Sequence, residues 1–179
     1  MTVRLPAGVW VIDPRHSLVT FAVRHLMSRV RGEFTSFEGV LVSDGTPTGL
    51  RASGLVDLNS VDTRDEERDA HLRSRDFFGV EESGPMRFVS TEYDGTRARG
   101  LLTIRAVTRP VVLEVAILGT ATGPDGERRV GVEATTEINR KDFGIDFNIP
   151  LDGGRLLIGD RVSVLVAVEA VLDARRPAT

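Results

Sequence analysis

The chain has 179 residues, 41% of them hydrophobic, which suits one domain with a substantial core and is too short for two ordinary ones. Its 26 acidic and 23 basic residues give a net charge of −3, so composition makes no electrostatic case for a nucleic-acid partner. Cysteine is absent, excluding disulfides, thiolate metal sites and a cysteine nucleophile, and no apolar run approaches the roughly 20 residues of a membrane-spanning helix.

Along the chain, short alternating runs separated by glycine-rich turns predict an all-β fold of about eight or nine strands. A short extension, 1 to 8, precedes a single domain from 9 to 173, and a frayed tail covers 174 to 179. Met1 to Trp10 has neither a basic region nor a long apolar stretch, so the expected location is cytoplasmic. After an opening piece at Val9 to Asp13, the run His16 to His25 puts Val19, Phe21 and Val23 on one face. Val30 to Ser43 reads as the next strand, where the opposite parity of Phe34 and Phe37 suggests a bulge. A third run lies between Gly49 and Leu58.

The segment from Asp62 to Ser74 is charged and free of glycine and proline, and predicts one surface helix. Thr63 and Glu66 have capping-box spacing, and Asp69 with Arg73 forms a favourable i,i+4 pair. Its apolar face is small, so Phe77 and Phe78 are expected to pin its C-terminal end. Met86 to Tyr93 then turns through Asp94-Gly95 into Thr96 to Ala106, whose arginines alternate with Ala98, Gly100, Leu102 and Ile104. Thr108-Arg109-Pro110 reads as a break before Val111 to Gly119. Gly123-Pro124-Asp125-Gly126 turns into Arg128 to Ile138, a short helical turn follows Asn139, and Arg161 to Leu172 closes the series. Antiparallel strands in such number hide their edges most completely by closing into a barrel. With 6% aromatic residues to fill it, a ligand cavity is the expectation.

No catalytic constellation is legible. His16 and His25, nine positions apart on one predicted strand, point to opposite faces, and His71 sits on the charged helix, so no metal site is assigned. There is no nucleophile elbow, and Asp142-Phe143-Gly144 stands without the other parts of a kinase. The remaining candidate is the corner around His25, where Arg24, Arg29 and Arg31 crowd a side chain of inward parity. An imidazole beside guanidinium groups suits an anionic or carbonyl-bearing head group. The plainer reading makes His25 a satisfied core histidine among solvated arginines.

Several motifs resemble a known family, the YceI-like proteins. They are Trp10-Val-Ile-Asp13 with His16-Ser17, Phe21-x-Val-Arg-His25, Val30-Arg-Gly-x-Phe34 and Phe37-x-Gly39. Ser60-Val-Asp-Thr63, Arg68-Asp69-x-His-Leu-Arg-Ser74 and Asp76-Phe-Phe78 follow. The series ends with Leu102-Thr-Ile-Arg105-x-Val-Thr-Arg-Pro110, Ile138-Asn-Arg140-x-Asp-Phe-Gly144 and Ile158-Gly-Asp160-x-Val162.

The resemblance implies an eight-stranded lipocalin-like antiparallel barrel with a side helix and an apolar tunnel that binds isoprenoid lipids, without an established reaction. On that expectation Phe21, Val23, Phe34, Phe88, Leu102, Ile104, Val164 and Val166 contact the lipid tail in the lumen, and His25 with Arg24 or Arg31 contacts the head group. No cofactor is required, although an isoprenoid lipid or quinone is expected to co-purify. The expected partner is an amphiphilic lipid, and a homodimer is compatible with the sequence. Two departures stand out: many relatives carry an export signal, and Ser83-Gly84-Pro85 replaces the usual aromatic-proline pair. Two rival functions are an enzyme acting on a lipid or quinone with His25 as acid and base, and an interaction module with a filled barrel.

Overall fold

Period-two alternation builds the strands. The computed structural model describes residues 4–177. Its strands are β1 (Gly8–Ile12), β2 (Leu18–His25), β3 (Ser28–Phe34), β4 (Phe37–Ser43), β5 (Leu50–Val56) and β6 (Val61–Asp62). After helix α1 (Glu66–Arg73) come β7 (Met86–Tyr93), β8 (Arg97–Ile104), β9 (Val107–Thr122) and β10 (Arg128–Asn139). A two-stranded hairpin of β11 (Pro150–Leu151) and β12 (Arg155–Leu156) precedes β13 (Ile158–Leu172). Hairpins join β2 to β3, β4 to β5, and β7 through β10 in succession.

The long β13 closes the ring. Its C-terminal part pairs with β1, Trp10 opposite Leu172, and its N-terminal part with β2, Val23 opposite Val162. β1 and β2 thus stand end to end in one barrel position. β4 and β3 share the next, pairing with β1 and β2 respectively, and β5 with β6 share the third. Together with β7, β8, β9, β10 and β13 this gives eight antiparallel positions and no open edge in the ring.

The sequence motif at Asp13 fixes the kink between β1 and β2. Asp13 caps the 3-10 turn Pro14–His16, accepting from Arg15 N at 3.0 Å, and its other carboxylate oxygen lies 2.8 Å from His16 Nδ1. Ser17 Oγ donates to Asp13 O at 2.7 Å and accepts from Glu169 N at 3.0 Å, tying the turn to β13. His16 therefore lies in this turn and not on the strand with His25, contrary to the expected continuous run.

Other expectations are corrected as well. Val30 to Ser43 is two strands, because Ser60 intervenes: its O accepts from Thr35 N at 3.2 Å and its Oγ from Ser36 N at 3.0 Å. The parity change between Phe34 and Phe37 marks this break and not a bulge. Pro110 lies within β9, whose pairing with β10 covers only Glu114 to Thr122. Proline is tolerated there because that stretch is paired on one side only, with β8. The actual hairpin turn is Arg105-Ala106, both with positive φ (53° and 61°), a conformation the sequence did not advertise with glycine.

The helix begins later than expected. Asp65, not Thr63, is its N-cap, accepting from Arg68 N at 3.0 Å. Thr63 is instead held by Asp69, which accepts from Thr63 N at 2.9 Å and from its Oγ1 at 2.6 Å. The expected Asp69–Arg73 pair does not form, because Arg73 donates to Asn59 O and Val61 O. Burying Asp69 against fixed donors docks the helix on β6, which suits a helix with little apolar surface of its own.

Two clusters of buried apolar side chains lie inside the barrel. One gathers Leu5, Trp10, Leu41, Tyr93, Val130 and Ala170 at the end where β1 begins. The other gathers Val19, Phe34, Leu58, Val61, Phe77, Ile104, Phe143 and Ile145 at the opposite end. Leu5, placed in the N-terminal extension by the sequence, is buried in the first cluster. Residues 1–3 and 178–179, the outer parts of the expected extension and tail, lie outside the described residues.

Candidate functional site: an apolar cavity at one end of the barrel

The barrel is hollow along its middle and second end. The cavity measures about 280 Å³ and is bounded almost wholly by carbon. The lining includes Phe21, Val23, Phe34, Phe88, Leu102, Ile104, Val164 and Val166, the eight lumen positions singled out from the sequence. Strand parity brings them together: the registers Val19–Phe34, Phe21–Gly32 and Val23–Val30 place one set of alternate residues on the inner wall.

Two glycines shape that wall. A Cβ on Gly32 would lie 2.5 Å from the Phe21 ring and 2.8 Å from Thr63 Cγ2, and one on Gly100 would lie 2.5 Å from the Phe88 ring. Both rings thus lie back against the wall in space that only glycine leaves free, which keeps them out of the lumen.

The cavity end is closed by aromatic side chains from α1, the loop after it and the segment after β10. Phe21, Phe34 and Phe78 form a chain with ring centroids 5.5 and 5.8 Å apart. Phe77, Phe147 and His71 form a second group, the His71 ring standing edge-on to both phenylalanines at 5.0 and 4.9 Å. His71 also meets Asp76 at 2.7 Å. Phe37 and Glu38 line both the cavity and an adjoining surface depression bounded by Ser83, Gly84 and Pro85. That depression is the candidate mouth.

Sequence reasoning missed Arg140 as a lining residue. Asn139 caps the turn Arg140–Phe143, accepting from Lys141 N at 3.0 Å, and this aims Arg140 inward. The side chain is 4% exposed; its Nε donates to Gly159 O at 2.9 Å and its Nη1 to Ile145 O and Phe147 O, each at 2.8 Å. Nη2 faces Asp160 Oδ1 at 3.6 Å, too far for a hydrogen bond, and neither atom has another partner among the described residues. Burial holds the Arg140 pKa below its ordinary value, against the opposing pull of Asp160 and Asp146. The signal was present in Ile138-Asn-Arg140, a lone arginine at the end of an inward-alternating strand.

The three expected head-group residues are not gathered on the cavity. His25 ends β2, half-buried, opposite Ile158 of the lining. Arg24 and Arg31 fall on the alternate, outer face, opposite Arg29 and Ala22. Arg24 donates to Leu26 O and Leu156 O, both at 3.3 Å. Arg31 borders an outer depression of the β2–β3 wall.

A set of metal-ligating groups does occur elsewhere. Asp13, His16 and Glu169 approach one another at the β1–β2 kink. The Arg129 guanidinium is already seated among their carboxylates, 3.1 Å from Asp13, in contact with Glu169, and 2.7 Å from Glu127. The hydrogen bond with His16, with help from Arg129 and Arg15, lowers the Asp13 pKa to about 2, and Glu127, Glu169 and Asp13 raise that of Arg129. Such a cluster fastens three chain segments together, with the guanidinium supplying positive charge to the carboxylates.

The model of the YceI-like domain matches residues 10–170. A UPF0312 protein of Staphylococcus epidermidis is 36% identical over 164 residues, covering 90% of this chain and 96% of its own length. One from Staphylococcus aureus is 34% identical over 163 residues, with coverages of 89% and 95%. Among solved structures, a Campylobacter jejuni YCEI protein superposes with a TM-score of 0.69 at 27% identity, covering 84% of this chain and 90% of its own. The fold is also that of a polyisoprenoid binding domain from Saccharophagus degradans, with a TM-score of 0.70 at 14% identity over 93% of this chain and 99% of that one. Barrel, side helix, ordered motifs and matched length agree, and the chain belongs to the YceI-like family.

Proposed function

We propose that this protein binds an amphiphilic isoprenoid-type lipid, a polyprenyl chain or an isoprenoid quinone, and carries or sequesters it with the tail inside the barrel. The observation that carries this reading is the apolar cavity, shut at the Trp10 end and bordered by a surface depression near the other. Burying each CH₂ contributes about 0.8 kcal/mol, so ten methylene equivalents supply roughly 8 kcal/mol. That is comparable with the about 4–15 kcal/mol that association costs, so a long tail accounts for much of the affinity without directional contacts. The S. degradans domain that shares the fold is named for polyisoprenoid binding, which is in keeping with this ligand class.

The eight lumen residues are the proposed tail contacts. The head group is proposed to lie toward the end that carries His25, while Arg24 and Arg31 face the wrong side of the wall to reach the lumen. Glu38 and Arg140 are the ionisable residues of the lining, and Arg140 is engaged with three backbone carbonyls. A binding role without acid–base chemistry fits that arrangement.

Native mass spectrometry of protein purified without detergent, followed by solvent extraction, tests the reading. The expected result is a non-covalent adduct whose extract contains a prenyl lipid, or saturable uptake of a prenyl quinone or prenyl diphosphate by the empty protein. The absence of both adduct and uptake would overturn it.

A further inference from the structure

Eleven large apolar side chains are exposed on the described residues, and seven of them lie on the barrel strands, singly or in pairs such as Val89 and Leu101, where they need no explanation. Four do not. Leu26 (51% exposed) and Met27 (87%) cap the β2–β3 hairpin, and Ile149 (45%) and Leu156 (38%) lie on the segment before β13. Hydrogen bonds knit the two segments into one surface: Leu26 N donates to Leu157 O at 2.8 Å, and Leu157 N to Ile149 O at 3.0 Å. Arg24 joins them from the side through Leu26 O and Leu156 O. Asn148 anchors the patch to the barrel, accepting from Ile158 N at 2.9 Å and donating to Ile158 O at 2.7 Å.

The charge around the patch points to an anionic partner. Arg24 and Arg29 are direct cross-strand partners, a like-charge placement that is unfavourable by itself. Arg155 is exposed beside Leu156, and Asp152 is the one acid on the two segments. Among the described residues no carboxylate lies within ion-pair distance of Arg24, Arg29 or Arg155. Apolar side chains at an apex, surrounded by unpaired arginines, fit the boundary between acyl chains and acidic head groups. The patch lies at the hollow end of the barrel: Leu157 precedes Ile158, which lines the cavity, whereas the plugged end is at the far side.

We propose that this apex, Leu26, Met27, Ile149 and Leu156 with Arg24, Arg29 and Arg155, docks the protein on the surface of a bilayer containing anionic phospholipid. This deepens the lipid-binding reading and rests on it for its purpose, bringing the hollow end of the barrel against a membrane that supplies or receives the lipid. Docking itself is measurable with no cargo present.

The test is sedimentation of the full chain with vesicles of phosphatidylcholine alone or with phosphatidylglycerol. Wild-type protein is expected to sediment with the phosphatidylglycerol vesicles, and less so as salt rises. Leu26→Asn with Met27→Ser should lower that partition at least tenfold; asparagine tolerates the positive φ of 54° at position 26. Arg29→Gln and Arg155→Gln should each lower it about fivefold and weaken the preference for anionic vesicles. Each variant should keep the melting temperature and take up a prenyl quinone delivered from detergent like the wild type. Loss of uptake by wild type and variants alike would count against the cavity reading and leave the docking result to be read separately. Equal sedimentation of wild type and variants would overturn the docking proposal. So would a wild type that ignores vesicles but is a dimer made monomeric by Leu26→Asn with Met27→Ser, because the patch would then join two copies.

Discussion

The two ends of the barrel are built from the same eight strand positions and serve opposite purposes. At one, Trp10 is wholly buried, its indole N–H donating to Pro6 O at 3.2 Å, and Leu5, Tyr93, Val130 and Ala170 pack around it. Tyr93 satisfies its hydroxyl on Gly95 O at 2.8 Å, and Ser43 donates to Leu5 O at 2.8 Å, so polar atoms inside this plug have partners. At the other, phenylalanines from β3, the loop after α1 and the segment after β10 lean together over a lumen walled by valine, leucine, alanine and glycine. The first end is a core in the ordinary sense. The second is a roof over empty space, held by backbone hydrogen bonds to Arg140. A closed sheet therefore need not be filled uniformly, and which end is hollow depends on where the chain puts its bulk.

Substitutions should separate the ends. Trp10→Ala removes the largest fully buried side chain and should cost about 3–5 kcal/mol. At about 2–4 °C per kcal/mol, calorimetry should show a fall of roughly 10 °C, while ligand uptake by the folded fraction persists. If uptake falls in proportion to stability, the two ends are not independent. Next comes Arg140→Met, which leaves the carbonyls of Gly159, Ile145 and Phe147 without their donor. A loss of about 3 kcal/mol is expected in denaturant unfolding, with loosened closure of the roof seen as faster hydrogen exchange at residues 140–149.

A smaller and more selective effect belongs to Gly32→Ala. The new methyl collides with the Phe21 ring, and overpacking costs about 1–3 kcal/mol. Its sharper readout is a prenyl-quinone titration, where a ring pushed into the lumen should weaken binding about tenfold or more. Unchanged affinity would show that Phe21 has room to move aside.

The smallest effect is set by acid. Because the Asp13 pKa is lowered to about 2 in the fold, its contribution is fully present above the ordinary carboxylate range and is lost as pH falls through about 2. His16→Ala removes the largest cause of that shift, so it should lower stability modestly near pH 7 and move the acid unfolding midpoint to higher pH than that of the wild type. A midpoint that stays in place would mean that Arg129 alone holds the carboxylate.

Much of this architecture could be read from the chain. Met86–Tyr93 and the Asp94-Gly95 turn stand where alternation and turn chemistry put them, and the alternating residues Ala98, Leu102 and Ile104 face inward as expected. Local patterns reveal such things because a strand residue's face depends on parity alone. What required long-range neighbours was misread. Ser60, distant in sequence, divides β3 from β4, and Pro110 is acceptable in β9 because no strand pairs with it on one side. The head-group trio failed to gather on the cavity for the opposite reason: the residues are close in sequence, yet the pleat sends Arg24 and Arg31 outward.

The sequence by itself determined that this protein is a closed all-β barrel, since alternation and hairpin turns act within a few residues of each other. Only the tertiary structure decided that one end is solid and the other hollow, that Arg140 reaches the lining, and that Gly32 and Gly100 shelter two aromatic rings. Those outcomes depend on distances across the barrel, where side chains far apart along the chain compete for the same volume, and no local pattern encodes how much of that volume remains unfilled.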